Sequence, residues 1–137
     1  MIYLLDTDIC IYIIKHRPVA VRERLAQLAP GSAGISSVTL GELAYGAANS
    51  DSVAANFARI EAITEAVDVL QFGADAALRY GALRAVLKRQ GRSIGPLDML
   101  IAGHALALDL TLVSNNTREF SRIEGLRIEN WIDAHPQ

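Results

Sequence analysis

The sequence has 137 residues, of which 51% are hydrophobic and 20% are charged, and its formal net charge is −2 at pH 7. This length and composition are typical of one globular domain and exclude an intrinsically disordered chain. The near-neutral charge excludes a globally basic nucleic-acid binder, so any contact with nucleic acid must come from a local basic patch. We therefore expect a single domain over residues 1–137.

Cysteine content and hydropathy both favour a protein of the cytoplasm without a membrane partner. The single cysteine, Cys10, cannot form an internal disulfide, and we interpret it as a small buried hydrophobic residue. The amino terminus lacks the basic start of a signal peptide. The apolar stretch near Ile101 is broken by His104 and Asp109 before it is long enough to span a membrane.

Short β-rich runs alternate with helical patterns along the first half of the chain. The predicted elements are a strand at Ile2–Leu5, a helix capped by Thr7 or Asp8 and running to about Lys15, a helix from Pro18 to about Leu28, a strand at Ala33–Ile35, a helix capped by Ser36 or Ser37 and running through Ala48, and a helix from Ser50 or Asp51 to about Ala66.

The second half continues the alternation. Its predicted elements are a strand at Val67–Leu70, a helix from Ala74 to about Gln90, a helix from Pro96 to about Leu108, a strand at Thr111–Val113, a short helix near Arg118–Ser121 and an edge strand at Leu126–Ile128. Strands separated by helices predict crossover connections and an α/β fold with a mostly parallel sheet of four to five strands. We find no internal repeat and no linker that would divide the chain.

Parallel sheets bind ligands outside the carboxyl ends of their strands, near the point where the strand order reverses. Asp6 is the first residue after the first predicted strand, so we expect it at that edge. An ionised carboxylate is costly to bury unless it is paired or bound to a metal. No basic residue stands beside Asp6 in the sequence.

Two further acids also lack a basic neighbour at helical spacing. Glu42 is followed at i+3 and i+4 by Tyr45 and Gly46, so no helical salt bridge explains it. Asp98 lies in a helix that is apolar nearly all round. Clustered carboxylates favour hard cations that prefer oxygen ligands, such as Mg²⁺ or Mn²⁺.

Each acid also has a structural interpretation. Asp6 could simply cap the strand end, and Asp98 could complement the dipole of a helix that begins at Pro96. Asn116 and Glu119 could form a capping box on the short helix that follows the fourth strand. The alternative is that Asn116 supplies a neutral oxygen, and Glu119 a carboxylate, to the same metal site.

Two groups of basic residues flank these acids. Arg84, Lys88, Arg89 and Arg92 run through the end of the long helix into the loop that leads to Asp98. A second group, Lys15, Arg17, Arg22 and Arg24, follows the Asp6 segment. Cations at helix ends can serve the helix dipole, but beside a carboxylate site they also favour contact with a phosphodiester backbone.

Other kinds of site are not indicated. The three histidines, His16, His104 and His135, have no zinc spacing, and we interpret His104 as a core or helix-face residue rather than a ligand. The sequence contains no dinucleotide fingerprint, no P-loop and no serine nucleophile elbow.

Four segments together resemble the PIN-domain toxins of bacterial toxin–antitoxin pairs, the VapC type. They are LLDT, ISSVTLGELAYGA, IGPLDMLIAGHAL and LVSNNTREFSRIEGLRIENW. The resemblance covers essentially the whole chain and implies a three-layer α/β/α domain with metal-dependent endoribonuclease activity. It also implies a structured RNA substrate, commonly tRNA, and inhibition by a VapB-like antitoxin that binds the operator DNA. The resemblance further implies a homodimer.

The resemblance maps the family's invariant acids onto Asp6, Glu42 and Asp98, as direct metal ligands or water-orienting groups. Asn116 stands where many relatives carry Asp, so either Asn116 or Glu119 is expected to complete the metal site. We expect Arg84, Lys88, Arg89 and Arg92 to follow the RNA backbone.

Two other functions are compatible with part of the pattern. Asp6-Thr7-Asp8 after an apolar strand resembles the Asp-x-Asp motif of aspartyl-phosphate phosphatases, in which the first Asp is the nucleophile. A non-enzymatic module that only binds a partner peptide is the other alternative, although such a groove would not need Glu42.

Overall fold

A computed structural model of the chain describes residues 1–132, which form five strands and seven helices. In chain order they are β1 (Tyr3–Leu5), α1 (Thr7–Lys15), α2 (Val19–Ala26), β2 (Ala33–Ser36), α3 (Ser37–Ala48), α4 (Val53–Ala66), β3 (Asp68–Leu70), α5 (Ala74–Arg89), α6 (Pro96–Leu108), β4 (Thr111–Val113), α7 (Thr117–Phe120) and β5 (Ile128–Glu129). Within this range no helix is long and apolar enough to cross a membrane.

The five strands form one sheet in the order β3-β2-β1-β4-β5, and all four strand pairings are parallel. The strand order reverses beside β1, since β2 and β3 lie on one side of it and β4 and β5 on the other. This reversal places the ends of β1 and β4 at the position where such sheets bind ligands.

The sheet is covered by apolar clusters on both faces. Successive strand residues point to opposite faces, and Leu4 and Leu5 accordingly belong to different clusters. One cluster joins Leu5 to buried residues of α1, α2, α3 and α4, such as Ile9 and Ile63. The other joins Leu4 to α5, α6 and α7, for example through Leu87. The predicted three-layer α/β/α fold is therefore confirmed.

The predicted element order is also confirmed, but some boundaries differ. The cap of α1 is Asp6, whose carboxylate accepts from the Ile9 N–H at 2.9 Å, so the prediction of Thr7 or Asp8 is wrong. α4 begins at Val53 because the Ser50 hydroxyl donates to the Ala47 carbonyl (2.7 Å) and closes the end of α3 instead. β5 lies at Ile128–Glu129, two residues further along than the start predicted for it.

Candidate active site at the carboxyl edge of the sheet

A polar pocket opens at the carboxyl edge of the sheet, beside the reversal of strand order. Two helix starts and one helix interior supply its walls. The pocket is lined by Asp6, Thr7 and Asp8 around the start of α1, by Glu42 of α3, and by Gly95, Pro96, Leu97 and Asp98 around the start of α6. The three acids singled out in the sequence, Asp6, Glu42 and Asp98, therefore lie in one pocket.

Asp6 is the most buried acid of the pocket, with only 3% of its surface exposed. Burial raises the pKa of its carboxyl to about 7, and the nearby charges of Asp8 and Asp98 add to the shift. Hydrogen bonds from the Ser114 side chain and from the Ile9 backbone work against that shift. Asp6 thus caps α1 and also carries a carboxylate that is poorly solvated.

Glu42 is held by a contact between α1 and α3. The Thr7 hydroxyl donates to Glu42 Oε1 at 2.9 Å, and the buried Thr39 hydroxyl lies 3.2 Å from the Thr7 oxygen. Neither partner is cationic, so the hydrogen bond orients Glu42 without neutralising it. Thr7 is a site residue by position as well, since it lines the pocket.

Asp98 occupies the third position of α6, after Pro96 at the first. Burial raises the pKa of Asp98, and the charges of Glu119, Asp8 and Glu42 raise it further. The charges of three other acids therefore act on Asp98. A helix N-terminus favours an anion here, but the dipole does not cancel the repulsion of the surrounding carboxylates.

Asn116 and Glu119 approach the site from α7, and the capping-box interpretation of the pair is wrong. The Asn116 side chain makes no cap hydrogen bond to α7; its amide donates instead to Glu119 Oε2 at 3.0 Å. The Asn116 backbone N–H donates to Ser114 Oγ at 2.8 Å, and Ser114 also bonds Asp6. Ser114 thus connects the Asp6 carboxylate to the segment that carries Glu119.

Two residues of this arrangement were missed in the sequence. Asp8 looks like an ordinary acid in the first turn of a helix, yet it lines the pocket and raises the pKa of both Asp6 and Asp98. Ser114 looks like a loop residue. The signal that could have found it is its position directly after β4, which matches the position of Asp6 directly after β1.

Five carboxylates, those of Asp6, Asp8, Glu42, Asp98 and Glu119, influence one another at this edge without a basic partner. The ion pairs within residues 1–132 join Arg24 to Glu129 and Arg127 to Asp109, both outside the pocket. Uncompensated acids in a partly buried site are stabilised by a cation. The site therefore has the electrostatic character of a cation site.

The side chains suit a hard divalent ion that is bound by a few protein oxygens and by water, rather than one enclosed by a complete set of protein ligands. In the part of the chain that the structure describes, no three acidic, histidine or cysteine side chains already stand close enough to hold an ion together. Mg²⁺ does not require such a cage, because it keeps several waters and is commonly held by one or two carboxylates and substrate phosphates. Oxygen-only side chains at a pocket edge suit that mode of binding.

The basic residues of α5 and its following loop lie outside the pocket lining. Lys88 and Arg89 are exposed in the last turn of α5, and Arg92 is exposed in the loop that leads to Gly95. Arg84 instead lies against its own helix, where its guanidinium donates to the Tyr80 hydroxyl at 2.6 Å and stacks over the ring. In the second basic group, Arg24 pairs with Glu129 and Arg22 contacts His16.

Cys10 and His104 are both buried, as predicted for core residues. Burial raises the pKa of the Cys10 thiol, which excludes a reactive thiolate there. His135 lies outside the described residues. No lysine lines the pocket in residues 1–132, so the phosphatase alternative lacks the cation that would stabilise a phosphoaspartate.

Comparison with known proteins identifies a family and several relatives. The PIN domain matches residues 3–126. The chain is 52% identical to the tRNA(fMet)-specific endonuclease VapC of Shigella flexneri, over 94% of this chain and 97% of that protein. It is 44% identical to Ribonuclease VapC2 of Haemophilus influenzae, over 95% of this chain and 98% of that protein.

Solved structures with a similar fold come from toxin–antitoxin complexes. DNA-bound VapBC from Salmonella typhimurium contains a chain with a TM-score of 0.91 and 44% identity, covering 96% of this chain and 98% of that one. VapBC2 from Rickettsia felis, bound to a promoter DNA fragment, contains one with a TM-score of 0.90 and 40% identity, covering 96% and 99% of the two chains.

Proposed function

The chain belongs to the PIN-domain family, and on that premise we propose that Asp6, Glu42 and Asp98 form the active centre of its toxin ribonuclease activity. Relatives named as VapC endonucleases and ribonucleases match nearly its whole length, and the chain is accordingly an endoribonuclease of the toxin–antitoxin type. The observation that supports the site assignment is that four carboxylates, those of Asp6, Asp8, Glu42 and Asp98, line one pocket of residues 1–132 without a basic partner, while the charge of Glu119 acts on Asp98 from beside it.

The activity depends on a divalent metal ion, as in PIN-domain nucleases generally. We assign this ion as Mg²⁺, with Mn²⁺ able to replace it, because every side chain offered is an oxygen donor. A bound Mg²⁺ supplies charge neutralisation at phosphorus, an activated water and stabilisation of the leaving oxygen. Asp6 and Asp98 are the proposed direct ligands, and either Asn116 or Glu119 completes the set.

The remaining polar residues orient these ligands. Ser114 and the Ile9 N–H fix the Asp6 carboxylate, so it can contact the ion without first losing rotational freedom. Thr7 fixes Glu42, and we assign Glu42 the role of binding a second ion or orienting the attacking water. The Asn116 amide holds Glu119 in the same way.

The proposed substrate is a structured RNA, and initiator tRNA is the first to test because two relatives are named for tRNA(fMet). Such a substrate would place the activity in the cytoplasm. The proposed partner is a VapB-like antitoxin, through which the complex would bind operator DNA, since similar chains occur in DNA-bound VapBC complexes. The homodimer that the family resemblance implies stays a prediction.

The decisive experiment is cleavage of total bacterial RNA and of initiator tRNA by the purified, antitoxin-free chain. We expect discrete fragments with Mg²⁺, none with EDTA, and none from Asp98→Asn, which removes one proposed ligand but keeps the shape of the side chain. Asp51→Asn, an exposed acid outside the pocket, is the matched control and should cut like wild type. Cleavage by Asp98→Asn at the wild-type rate would contradict the site assignment.

A further inference from the structure

His104 is a buried polar residue of α6 that has no role in the proposed reaction. It lies in the middle of α6 with 1% of its surface exposed, and its ring meets the edge of Phe72 at a centroid distance of 5.4 Å. Its Nδ1 lies 2.9 Å from the hydroxyl oxygen of Ser36, which is itself fully buried. A buried pair of this kind is a specific contact, since either group alone would be costly to bury.

The other hydrogen bond of the Ser36 hydroxyl determines which atom donates in this pair. Ser36 is the cap of α3, and its oxygen accepts from the Val38 N–H at 3.1 Å. The one hydroxyl proton of Ser36 is therefore free to point at His104 Nδ1, which must then be an acceptor. His104 is thus neutral with its proton on Nε2, a state that agrees with burial lowering its pKa.

The other ring nitrogen faces the end of β3. Nε2 is buried and makes no close hydrogen bond within residues 1–132, and the nearby Gln71 backbone carbonyl partly offsets the lowering of the pKa. The contact to Ser36 is therefore the strong one, and it ties α6 to the carboxyl end of β2.

This contact joins the two helices that carry two of the proposed active-site acids. Ser36 begins α3, and Glu42 follows it by six residues; His104 follows Asp98 by six residues in α6. A helix rises about 1.5 Å per residue, so each acid lies about 9 Å along a rigid element from the same buried hydrogen bond. Any slip between α3 and α6 would change the separation of Glu42 and Asp98.

We propose that His104 is a positioning residue for the ribonuclease reaction: through its hydrogen bond to Ser36 it fixes the placement of α3, with Glu42, relative to α6, with Asp98. The inference rests on the proposed function of those two acids. His104 touches neither RNA nor metal in this scheme and acts only through Ser36.

The test compares three substitutions with one control. His104→Leu and Ser36→Ala each remove the hydrogen bond, whereas His104→Asn keeps an acceptor oxygen near the position of Nδ1. Val21→Ala removes buried volume from α2, which carries no site residue, and controls for lost stability alone. Thermal midpoint, Mn²⁺ affinity, and kcat and KM for RNA cleavage are measured for each, well below the lowest midpoint.

We expect kcat to fall about 10- to 100-fold in His104→Leu and Ser36→Ala, the range that misplacement of reacting groups by about 1 Å produces. Mn²⁺ affinity should weaken, KM for RNA should change little, and His104→Asn should recover most of the rate. The double variant His104→Leu with Ser36→Ala should lose no more than one single variant does, because both remove the same bond.

Equal kcat in His104→Leu, wild type and Val21→Ala would overturn the inference, and so would additive losses in the double variant. If His104→Leu fails to fold, His104→Asn and Ser36→Ala decide, and a wild-type kcat in Ser36→Ala then overturns it. Failure of the proposed function looks different, because wild-type protein would itself cut no RNA.

Discussion

At the scale of single residues, Asp6 combines a structural and a chemical task in one carboxylate. As the cap of α1 it accepts from the Ile9 N–H, and at the edge of the sheet it lies among other acids. The first task favours the ionised form, and burial favours the protonated one. The balance leaves the pKa of Asp6 at about 7, so its charge changes near neutral pH.

This pKa predicts how the metal-free protein responds to pH. Folding raises the pKa of Asp6 from 3.8 to about 7, so between these values the folded chain binds more protons than the unfolded chain. The free energy of unfolding should therefore decrease as pH rises from about 4 to about 7, with a slope of up to about 1.4 kcal/mol per pH unit from this group. Unfolding in EDTA across that range measures the slope.

Asp6→Asn is the matched variant, because Asn can still cap α1 but cannot titrate. The difference in stability between wild type and Asp6→Asn should shift steadily in favour of Asn as pH rises to about 7, and then level off. A difference that is independent of pH would show that Asp6 titrates in its ordinary range. Mg²⁺ should bind more tightly as pH rises through the same window, since ion and proton compete for one carboxylate.

Residue-scale reasoning from sequence predicted the central acids because they lack local partners. Glu42 stood out by the absence of a cation at helical spacing, and Asp98 by its apolar surroundings. Asp8 was noticed only as part of a phosphatase-like motif, and Ser114 was not noticed, because a first-turn acid and a loop serine each have an ordinary local explanation. Only the tertiary structure gives them a further role, since Asp8 lines the pocket and Ser114 hydrogen-bonds the Asp6 carboxylate.

At the scale of elements, the hairpin of α5 and α6 positions Asp98, and one glycine permits its close packing. A Cβ added at Gly103 would lie 2.8 Å from the Tyr80 backbone nitrogen, closer than side chains tolerate. Gly103→Ala should therefore destabilise the fold by about 1–3 kcal/mol, since backbone must move to admit the methyl group. Denaturant unfolding of the purified chain measures the change.

Gly81 offers the control for this substitution on the partner helix of the same hairpin. A Cβ at Gly81 meets no atom within 4 Å, so Gly81→Ala should stabilise the protein by about 0.5–1 kcal/mol through helix propensity alone. Equal effects at the two glycines would mean that α5 and α6 are not packed as closely as described.

The end of α5 also gives a prediction about RNA binding. Lys88, Arg89 and Arg92 are exposed near the loop that leads to Asp98, whereas Arg84 is engaged with Tyr80. Replacing Arg89 and Arg92 with Ala should raise KM for RNA with little change in kcat, and should reduce the dependence of binding on salt concentration. Arg59→Ala, an exposed cation of α4, is the control, and an identical salt dependence in all variants would contradict the assignment.

Element boundaries were predicted well where a breaker residue marks them, as Pro96 marks α6 and Gly91 follows α5. Boundaries set by side-chain contacts across the structure were predicted less well. Asp6 replaced the expected cap of α1, and the Asn116 side chain bonds the Glu119 carboxylate instead of a backbone N–H of α7. Local patterns give several residues that could cap a helix, but tertiary packing decides which of them does.

At the scale of the whole molecule, a net charge of −2 conceals an uneven distribution. Five acids face one edge of the sheet, while basic residues lie on surfaces beyond the pocket lining. The fold must overcome the repulsion among these acids, so the metal-free protein carries a destabilising site. On the proposed function, a bound divalent cation would relieve this repulsion.

The repulsion among these acids predicts that Asp98→Asn abolishes activity and at the same time stabilises the metal-free protein. In EDTA, Asp98→Asn should unfold at a higher temperature than wild type, by about 3–5 °C for each kcal/mol of repulsion removed. Mg²⁺ should raise the midpoint of wild type much more than that of Asp98→Asn, because binding to the folded state is what stabilises it.

Differential scanning calorimetry with Mg²⁺, and with NaCl at equal ionic strength, separates binding from screening. Glu61→Gln, an exposed acid of α4, removes the same charge away from the site and should respond to Mg²⁺ as wild type does. If Asp98→Asn is less stable than wild type in EDTA, Asp98 contributes more through the dipole of α6 than it costs through repulsion. The acids would then serve mainly to stabilise the fold, and a bound cation would not be needed to explain their arrangement at the sheet edge.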